Sequence, residues 1–329
     1  MIKTINVRDL KVGMHVIIPA SWLNHPFLTN HFNITSRDQI QEIISTGFSE
    51  VKIDTTKGMP VADFEKVSHG NGQETRKWEP ENLVPLELRE AIHDKMLPPE
   101  KKALVVYKSS VELMGKLFAD PKTENIKDAK QAISEIVDMI LAQDDTSRCL
   151  FRITAHDFYT YTHSVNVGIL GILLSKHLFS RSYAHDMHEL GAGFFLHDLG
   201  KVRIDAAIIN KPGRLTEAEM KKVRAHPYQS YSMLKDANEL SEECRIITIQ
   251  HHERDDGTGY PRRLRGDEIH TYGRVCCIAD VYDTLTADRS YKAKLAPFEA
   301  LKVMKEELLH HFHKDIFEEF VRMFSGSQI

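Results

Sequence analysis

Histidines and aspartates recur in the second half of the chain, at the ends of segments with helical periodicity. The set comprises His163, His197, Asp198, His226, His251, His252 and Asp280. Neighbouring residues on a helix point about 100° apart, so one turn can direct two ligands at two adjacent metal positions. Imidazole and carboxylate ligands without thiolate suit iron, manganese or zinc. The set is too large for one tetrahedral site and predicts two metals, with Asp198 as a natural bridge between them.

The dipeptide His197-Asp198 differs from the other His-Asp pairs of the chain in its surroundings. The others are His93-Asp94, His156-Asp157 and His185-Asp186. The pair at 197–198 ends an apolar run, Leu190–Leu196, that predicts a buried helix, and Lys201 follows it by one turn. Unpaired charge at the end of a buried helix is costly, so a metal cation is a natural partner for it.

Helices are predicted around each of these residues. Thr216 and Glu219 form a capping box that opens a helix running to His226, where a proline follows. A second helix runs from Glu242 to the histidines at 251–252, and a third covers 271–285. Because no stretch of alternating polarity interrupts this region, an all-α second half is predicted.

The first half is predicted to contain a small mixed α/β unit and a helical connector. Residues 1–55 hold candidate strands near 12–18 and 51–54 and a short helix that begins at Ser36. A polar linker is predicted over 56–85, a helical connector over 86–148, and a helical domain over 149–329. The connector helices either pack within the chain or pair two chains in a homodimer.

Composition narrows the class of protein. The chain has 329 residues, 42% of them hydrophobic and 27% charged, and its formal net charge is −4. This charge gives no electrostatic footprint for nucleic acid or an anionic membrane. The start of the chain lacks the apolar region of a signal peptide. The four cysteines show no C-x-x-C spacing, which favours reduced thiols and a cytoplasmic protein.

The motifs together resemble those of the HD-GYP proteins, a branch of the HD metal-dependent phosphohydrolases. The resemblance rests on His197-Asp-Leu-Gly-Lys201 and on the run from His251 to Pro261, which contains Gly257-Thr-Gly-Tyr260-Pro261. Supporting segments are 211–216, His226-Pro227 and 280–292. The similarity covers about 150–324, and the front unit resembles a domain of unknown function often fused before HD-GYP domains. A mainly α protein is therefore expected, with an HD-GYP helical bundle behind a small mixed α/β domain.

The resemblance implies a division of the ligands between two metals. One metal would be held by His163, His197, Asp198 and Asp280. The second would be held by His226, His251 and His252, with Asp198 shared. Some family members bind a third metal through a glutamate four residues before the first histidine, where this chain has Tyr159. A binuclear site is therefore expected, with iron or manganese in it and other divalent metals as the alternative.

The resemblance also implies an activity. Members hydrolyse cyclic di-GMP to linear pGpG and sometimes onward to GMP, which lowers a bacterial second messenger tied to motility and biofilm formation. GMP formation has been associated with the third metal, so Tyr159 makes pGpG the expected end product here. Lys201 would contact the scissile phosphate or stabilise the departing oxygen, although a structural pair with Asp198 is the alternative. Further expected substrate contacts are Tyr260, Asp283, Arg289 and Lys292. Asp283 could instead orient a ligand or the attacking water.

Other activities remain open on the sequence alone. The substrate could be 3′,3′-cyclic GMP-AMP, or the chain could be a non-catalytic sensor of cyclic dinucleotides, an HD hydrolase of another nucleotide, or a scaffold. The loop that carries Tyr260 has been linked in the family to partners that include diguanylate cyclase domains.

The sequence His310-His311-Phe312-His313 also resembles a metal site. It follows a helix rich in Lys and Glu, and no constellation of carboxylates accompanies it. We therefore expect it to be a helix C-terminus, where the helix dipole favours basic side chains.

Overall fold

The helical periodicity of the second half corresponds to helices in the structure, which is a computed structural model. The structure describes residues 2–17, 31–34, 40–41, 43–44, 48–54, 83–154, 160–180, 182, 184–209, 211, 213–287 and 295–324. The chain divides into two units, Met1–Pro80 and Glu81–Ile329. This division falls inside the expected linker, most of which lies outside the described residues. The linker and the other segment bounds thus stay predictions.

The first unit is built on an antiparallel four-stranded sheet in the order β1-β4-β2-β3. The strands are β1 (Ile2–Asn6), β2 (His15–Ile17), β3 (His31–Asn33) and β4 (Glu50–Asp54). Val16 of β2 pairs with Ile53 of β4, and both are buried with Val51 and Ile43 in a small core. The mixed character predicted for this unit is confirmed, but β1 and β3 were not foreseen, because strands this short carry little alternation.

In the second unit, every described element of regular structure is helical, which confirms the all-α prediction. The α-helices are α1 (Leu86–His93), α2 (Pro99–Ala119), α3 (Thr123–Ala142), α4 (Asp144–Thr154), α5 (Thr160–Leu178), α6 (Met187–Leu196), α7 (Ala206–Ile209), α8 (Glu217–Val223), α9 (His226–Asp236), α10 (Glu242–Gln250), α11 (Thr271–Thr286), α12 (Pro297–Glu306) and α13 (Lys314–Met323). Short 3-10 helices cover Leu199–Arg203, Gly266–Glu268 and Leu309–His311.

Helix α5 lies at the centre of this unit and is apolar around its circumference, as expected for a buried helix. Its glycines bring it close to α6. A Cβ on Gly168 would lie 2.2 Å from the ring of Phe195, and one on Gly171 would lie 2.7 Å from the ring of Phe194. This close packing fixes α5 against the helix that leads to His197. Among the described residues, no helix has the length and hydropathy that a bilayer crossing requires.

The connector helices α2 and α3 pack within the chain. Val106 and Leu113 of α2, with Ile133 and Ile136 of α3, belong to the same buried hydrophobic cluster as the residues of α5 and α6. Their apolar stripes follow the helical spacing that predicted these helices. Intrachain packing, one of the two expected roles, is therefore what the structure shows. Pairing of two chains stays a prediction.

One helix boundary differs from the prediction. The helix opened by the Thr216 capping box ends at Val223, and His226 begins a new helix, α9. The prediction took Pro227 as the end of a helix, but proline fits the first turn of one equally well, because the amide it lacks has no partner there. His226, which was expected to be a metal ligand at the end of the preceding helix, therefore lies at the start of α9.

Candidate metal centre

The seven predicted ligands come together from separate helices. Two pairs directly follow helix ends: His197-Asp198 after α6 and His251-His252 after α10. Single residues come from α5, α9 and α11: His163, His226 and Asp280. His163 lies in the first turn of α5, His226 begins α9 and Asp280 lies inside α11, so the expectation that every ligand stands at the end of a helix was wrong for Asp280.

Two groups of ligand atoms form, and Asp198 lies between them. One group is Asp198, His226, His251 and His252, and the other is His163, His197 and Asp280, with the ligand atoms of each group within 4.8 Å of one another. Asp198 Oδ1 is 3.1 Å from His226 Nε2, whereas its Oδ2 is 3.4 Å from the Nε2 atoms of His163 and His197. The groups have the composition that the family resemblance implied, with one carboxylate placed to serve both.

Backbone carbonyls orient three of the imidazoles. In His197, His226 and His251, Nδ1 lies 2.7, 2.7 and 2.9 Å from the carbonyl oxygen three residues earlier. Because a carbonyl only accepts hydrogen bonds, Nδ1 must carry the proton and Nε2 keeps its lone pair. This arrangement is common behind metal-bound histidines, where it fixes the ring and raises its basicity.

The protonation states of three ligands at neutral pH suit metal binding. Burial and the neighbouring imidazoles hold the pKa of His251 well below its usual value, and burial lowers the pKa of His252 to about 3. Burial would raise the pKa of Asp198, but the charge of Lys201 and the interactions with the imidazoles of His197 and His163 outweigh it and hold that pKa well below its usual value. Neutral imidazoles and an ionised carboxylate are the states in which these groups bind metals. At His163, burial would lower the pKa, but the hydrogen bonds to Asp198, Asp280 and Asp283 outweigh it and raise that pKa well above its usual value, so a metal would replace a proton on this ring.

Two buried atoms of the centre lack a hydrogen bond among the described residues, namely His197 Nε2 and Asp198 Oδ1. His197 and Asp198 are 0% and 2% exposed. Buried polar atoms without a partner are rare and often mark an ion or water site. Two divalent metal ions would satisfy both atoms, so the side chains present fit such ions.

A chain of hydrogen bonds behind His163 was not foreseen from the sequence. Asp283 Oδ2 lies 2.6 Å from His163 Nδ1, and Asn166 Nδ2 donates to Asp283 Oδ1 at 2.7 Å. The Tyr107 hydroxyl, from α2, donates to Asn166 Oδ1 at 2.9 Å. Both carboxylate oxygens of Asp283 are thus engaged, which favours its ligand-orienting role over substrate contact. Asn166 lies three residues after His163 in an apolar helix, which was an available signal for its role.

Gly200 and Ser230 fix α9 against the His197-Asp198 turn. The Gly200 amide donates to Ser230 Oγ at 2.8 Å, and that hydroxyl donates to the His197 carbonyl at 2.8 Å. A Cβ on Gly200 would lie 2.3 Å from the carbonyl oxygen of His226. The glycine therefore permits a close backbone approach that brings His226 up to Asp198.

Lys201 pairs with Asp198 Oδ2, as the structural alternative for this residue predicted. Its side chain is 30% exposed, so Lys201 lies at the edge of the centre rather than in its buried part. The catalytic alternative is compatible with this position.

Tyr260 covers the ring of His252. Their ring centroids are 4.6 Å apart and the planes are tilted by 33°, while the Tyr260 amide donates to the His252 carbonyl at 3.1 Å. Buried Glu253 accepts hydrogen bonds from the amides of Arg262 (2.6 Å) and Leu264 (2.9 Å). The glutamate thus holds the loop that presents Tyr260 beside the ligands.

Three residues that were singled out in the sequence lie outside the described residues. They are the expected phosphate-binding pair Arg289 and Lys292, and Tyr159, on which the expectation of two rather than three metals rests. These expectations stay predictions.

Family models match both parts of the chain. An HD domain model matches residues 182–316, and a model described as a domain of unknown function (DUF3391) matches residues 2–132.

Relatives agree with these matches. A cyclic di-GMP phosphodiesterase of Pseudomonas aeruginosa is 33% identical over 98% of this chain and 76% of its own length. A 3′3′-cGAMP-specific phosphodiesterase of Vibrio cholerae is 39% identical over 46% of this chain and 32% of its own length.

A solved structure has the same fold. The protein Bd1817 of Bdellovibrio bacteriovorus, described as an HDG"Y"P protein, matches with a TM-score of 0.62 and 16% identity over 99% of this chain and all of its own. At this identity the likeness shows the fold alone. The extent of the match to the Pseudomonas relative shows the family. The chain belongs to the HD-GYP family of HD-domain phosphodiesterases, and a domain of unknown function precedes its HD domain.

Proposed function

We propose that this protein hydrolyses a phosphodiester bond of a cyclic dinucleotide, converting cyclic di-GMP to linear pGpG in the cytoplasm. The observation that carries the proposal is the convergence of six ligand side chains on a seventh, Asp198. Two buried atoms of this set, His197 Nε2 and Asp198 Oδ1, lack hydrogen bonds within the described chain. The activities named for the Pseudomonas and Vibrio relatives support the substrate class.

The expected cofactors are two divalent metals, with iron or manganese favoured by the ligand chemistry. The groups around Asp198 contain imidazole and carboxylate and, among the described residues, no thiolate. When bound, such ions supply hydroxide at neutral pH and neutralise charge on phosphoryl oxygens.

The chain's own residues then position the substrate. Lys201 places a positive charge next to Asp198 at the edge of the centre, where it can meet a phosphoryl oxygen. The ring of Tyr260 lies against His252 and beneath the guanidinium of Arg224, so Tyr260 is proposed either to shape the loop over the site or to stack against a base that displaces Arg224. Asp283 holds the ring of His163 in place. Arg289 and Lys292 are proposed to bind the second phosphate.

The test is to purify the full chain anaerobically, count metals per chain and separate the products formed from cyclic di-GMP. We expect about two metals, a product that stops at pGpG, and loss of both metal and activity in Asp198→Ala. The matched control is Asp236→Ala, which removes an exposed aspartate of α9 and should behave as wild type. If metal-loaded wild type hydrolyses neither cyclic di-GMP nor 3′,3′-cyclic GMP-AMP, the sensor alternative replaces the enzyme. Rapid onward conversion to GMP would contradict the proposed end product.

The second candidate substrate is 3′,3′-cyclic GMP-AMP. It is favoured by the 39% identity to the Vibrio relative, which exceeds the identity to the Pseudomonas one, although it covers less than half of this chain. Parallel assays with both dinucleotides at equal concentration decide between them by the ratio of kcat/KM.

A further inference from the structure

A second convergence of ligand-type side chains lies outside the centre around Asp198. Asp256 follows α10 in the loop that leads to Tyr260, and His310 and His311 belong to the 3-10 helix Leu309–His311. One ligand atom from each lies within 4.8 Å of the others. The sequence-based expectation of an isolated helix C-terminus was therefore wrong on two counts. Helix α12 ends at Glu306, before the histidines, and a carboxylate distant in sequence reaches them.

The carboxylate is held in a fixed orientation. Asp256 Oδ1 accepts hydrogen bonds from the amide (2.9 Å) and the hydroxyl (2.8 Å) of Thr258. Its other oxygen, Oδ2, lies 3.8 Å from His310 Nε2 and 4.0 Å from His311 Nε2. The two segments are also joined by a backbone hydrogen bond of 3.0 Å from the Asp255 amide to the His311 carbonyl. The three groups are thus brought together by the fold rather than by flexible side chains alone.

The charge states at neutral pH provide lone pairs at this point. Burial lowers the pKa of His311, and the nearby charges of Arg254 and His310 lower it further. Burial would raise the pKa of Asp256, but its hydrogen bonds from Thr258 prevail and lower it. Arg254 Nη1 lies 3.4 Å from His311 Nε2, and since arginine only donates, that nitrogen presents its lone pair.

We propose that Asp256, His310 and His311 form a separate, surface-accessible site for one divalent transition-metal ion such as Zn²⁺ or Ni²⁺. Two imidazoles and one carboxylate are a ligand set of this class, with water completing the coordination. Metal–ligand bonds of about 2.0–2.1 Å place tetrahedral ligands about 3.4 Å apart. The distances of 3.8 and 4.0 Å from Asp256 Oδ2 to the two imidazoles must therefore close by under ~1 Å. The His310 side chain, 60% exposed, can rotate to do so, and Arg254 moves off the His311 nitrogen.

Metal at this site fastens the loop of residues 254–260 to residues 309–311. Asp256 lies four residues before Tyr260 in the same loop. Gly257, which follows Asp256, has a positive φ of 77° and packs against Arg265. The ion therefore restrains the segment that presents Tyr260 beside His252. This site shares no residue with the groups around Asp198.

The test uses the full chain, with its catalytic metals bound, dialysed against low-micromolar Zn²⁺ and analysed for metal per chain. We expect wild type to bind one zinc ion more than His310→Ala and Asp256→Asn. The asparagine keeps an oxygen for the Thr258 hydrogen bonds but loses the charge. The matched control is His188→Ala, which removes another exposed histidine beside a carboxylate, Asp138, and should bind as wild type does.

Hydrogen exchange supplies a second readout that does not depend on activity. Zinc should slow exchange of the amides at 255–258 and 309–313 in wild type and leave them unchanged in His310→Ala. Equal zinc binding by wild type and both site variants overturns the proposal. An equal loss in His188→Ala overturns it too, because it would show general binding to surface histidines.

Discussion

The hydrogen-bond chain behind His163 leads to a prediction that can be worked through in numbers. Asn166 is 1% exposed and links the carboxylate of Asp283 to the hydroxyl of Tyr107. Asn166→Ala removes both hydrogen bonds, so Asp283 loses the donor that fixes one of its oxygens. Residues that orient a metal ligand from behind commonly contribute 10–100-fold to metal affinity or activity, or about 1.4–2.7 kcal/mol. We expect Asn166→Ala to weaken metal binding within that range.

Tyr107→Phe should have a smaller effect, because it leaves the bond between Asn166 and Asp283 in place. It deletes one buried hydrogen bond and should cost about 1 kcal/mol of the free energy of unfolding. The matched control on the same helix is Ser110→Ala. Ser110 is equally buried, but its hydroxyl donates within α2 to the Val106 carbonyl at 2.7 Å and has no link to His163.

The assay combines thermal unfolding with metal retained per chain at limiting metal and the kcat of hydrolysis. Loss of stability is expected in all three variants. Loss of metal affinity is expected in the order Asn166→Ala, then Tyr107→Phe, with none in Ser110→Ala. If Asn166→Ala is destabilised but retains metal as tightly as Ser110→Ala, the chain serves folding alone and the reasoning is refuted.

Three further predictions concern packing and titration. Gly200→Ala forces a Cβ to within 2.3 Å of the His226 carbonyl and should cost about 1–3 kcal/mol with loss of metal; unchanged melting and metal content would contradict this. The hydrogen bond from Lys211 lowers the Glu219 pKa from 4.5 to about 2. Wild type should therefore have a larger free energy of unfolding than Glu219→Gln above pH 4.5, and this difference should disappear as the pH falls towards 2. A difference that does not change with pH would contradict this. Burial raises the pKa of Cys244 and of Cys277 to about 12, so alkylation at pH 8 should leave both unmodified until the chain unfolds, and rapid reaction in the native state would count against their burial.

Much of the candidate metal centre could be predicted because four of its ligands, in two adjacent pairs, directly follow helix ends that periodicity reveals. The apolar run of α6 and the early glutamates of α10 each predicted a helix that stops at a pair of ligands. The division of the seven residues into two groups came from the family resemblance, and the spacing alone did not contain it. The start of α9 was misplaced because a proline is compatible with both the end and the beginning of a helix.

The contacts that orient the centre could not be predicted, since they join residues distant in sequence. Asn166 and Asp283 are separated by 117 positions, and Tyr107 and Asn166 by 59. Nothing in the neighbouring sequence indicates such pairs. The same reason explains why Asp256 was not connected with His310 and His311, although each histidine had been noticed.

The pairing of Lys201 with Asp198 lies where a 3-10 helix follows α6. Had α6 continued as an α-helix, residues three apart would point about 60° away from each other. Residues 199–203 instead form a 3-10 helix, in which positions three apart eclipse, and Lys201 lies directly over Asp198. An ammonium group has three donors, and the Asp198 carboxylate takes one of them. Pairing with Asp198 therefore does not compete with a phosphate contact, because it fixes the charge beside the shared carboxylate and leaves the remaining donors of the ammonium group. The turn that carries Lys201 is fixed against α9 by the hydrogen bond from the Gly200 amide to Ser230. In this fixed turn, Lys201 can pair with Asp198 and contact a phosphate at the same time.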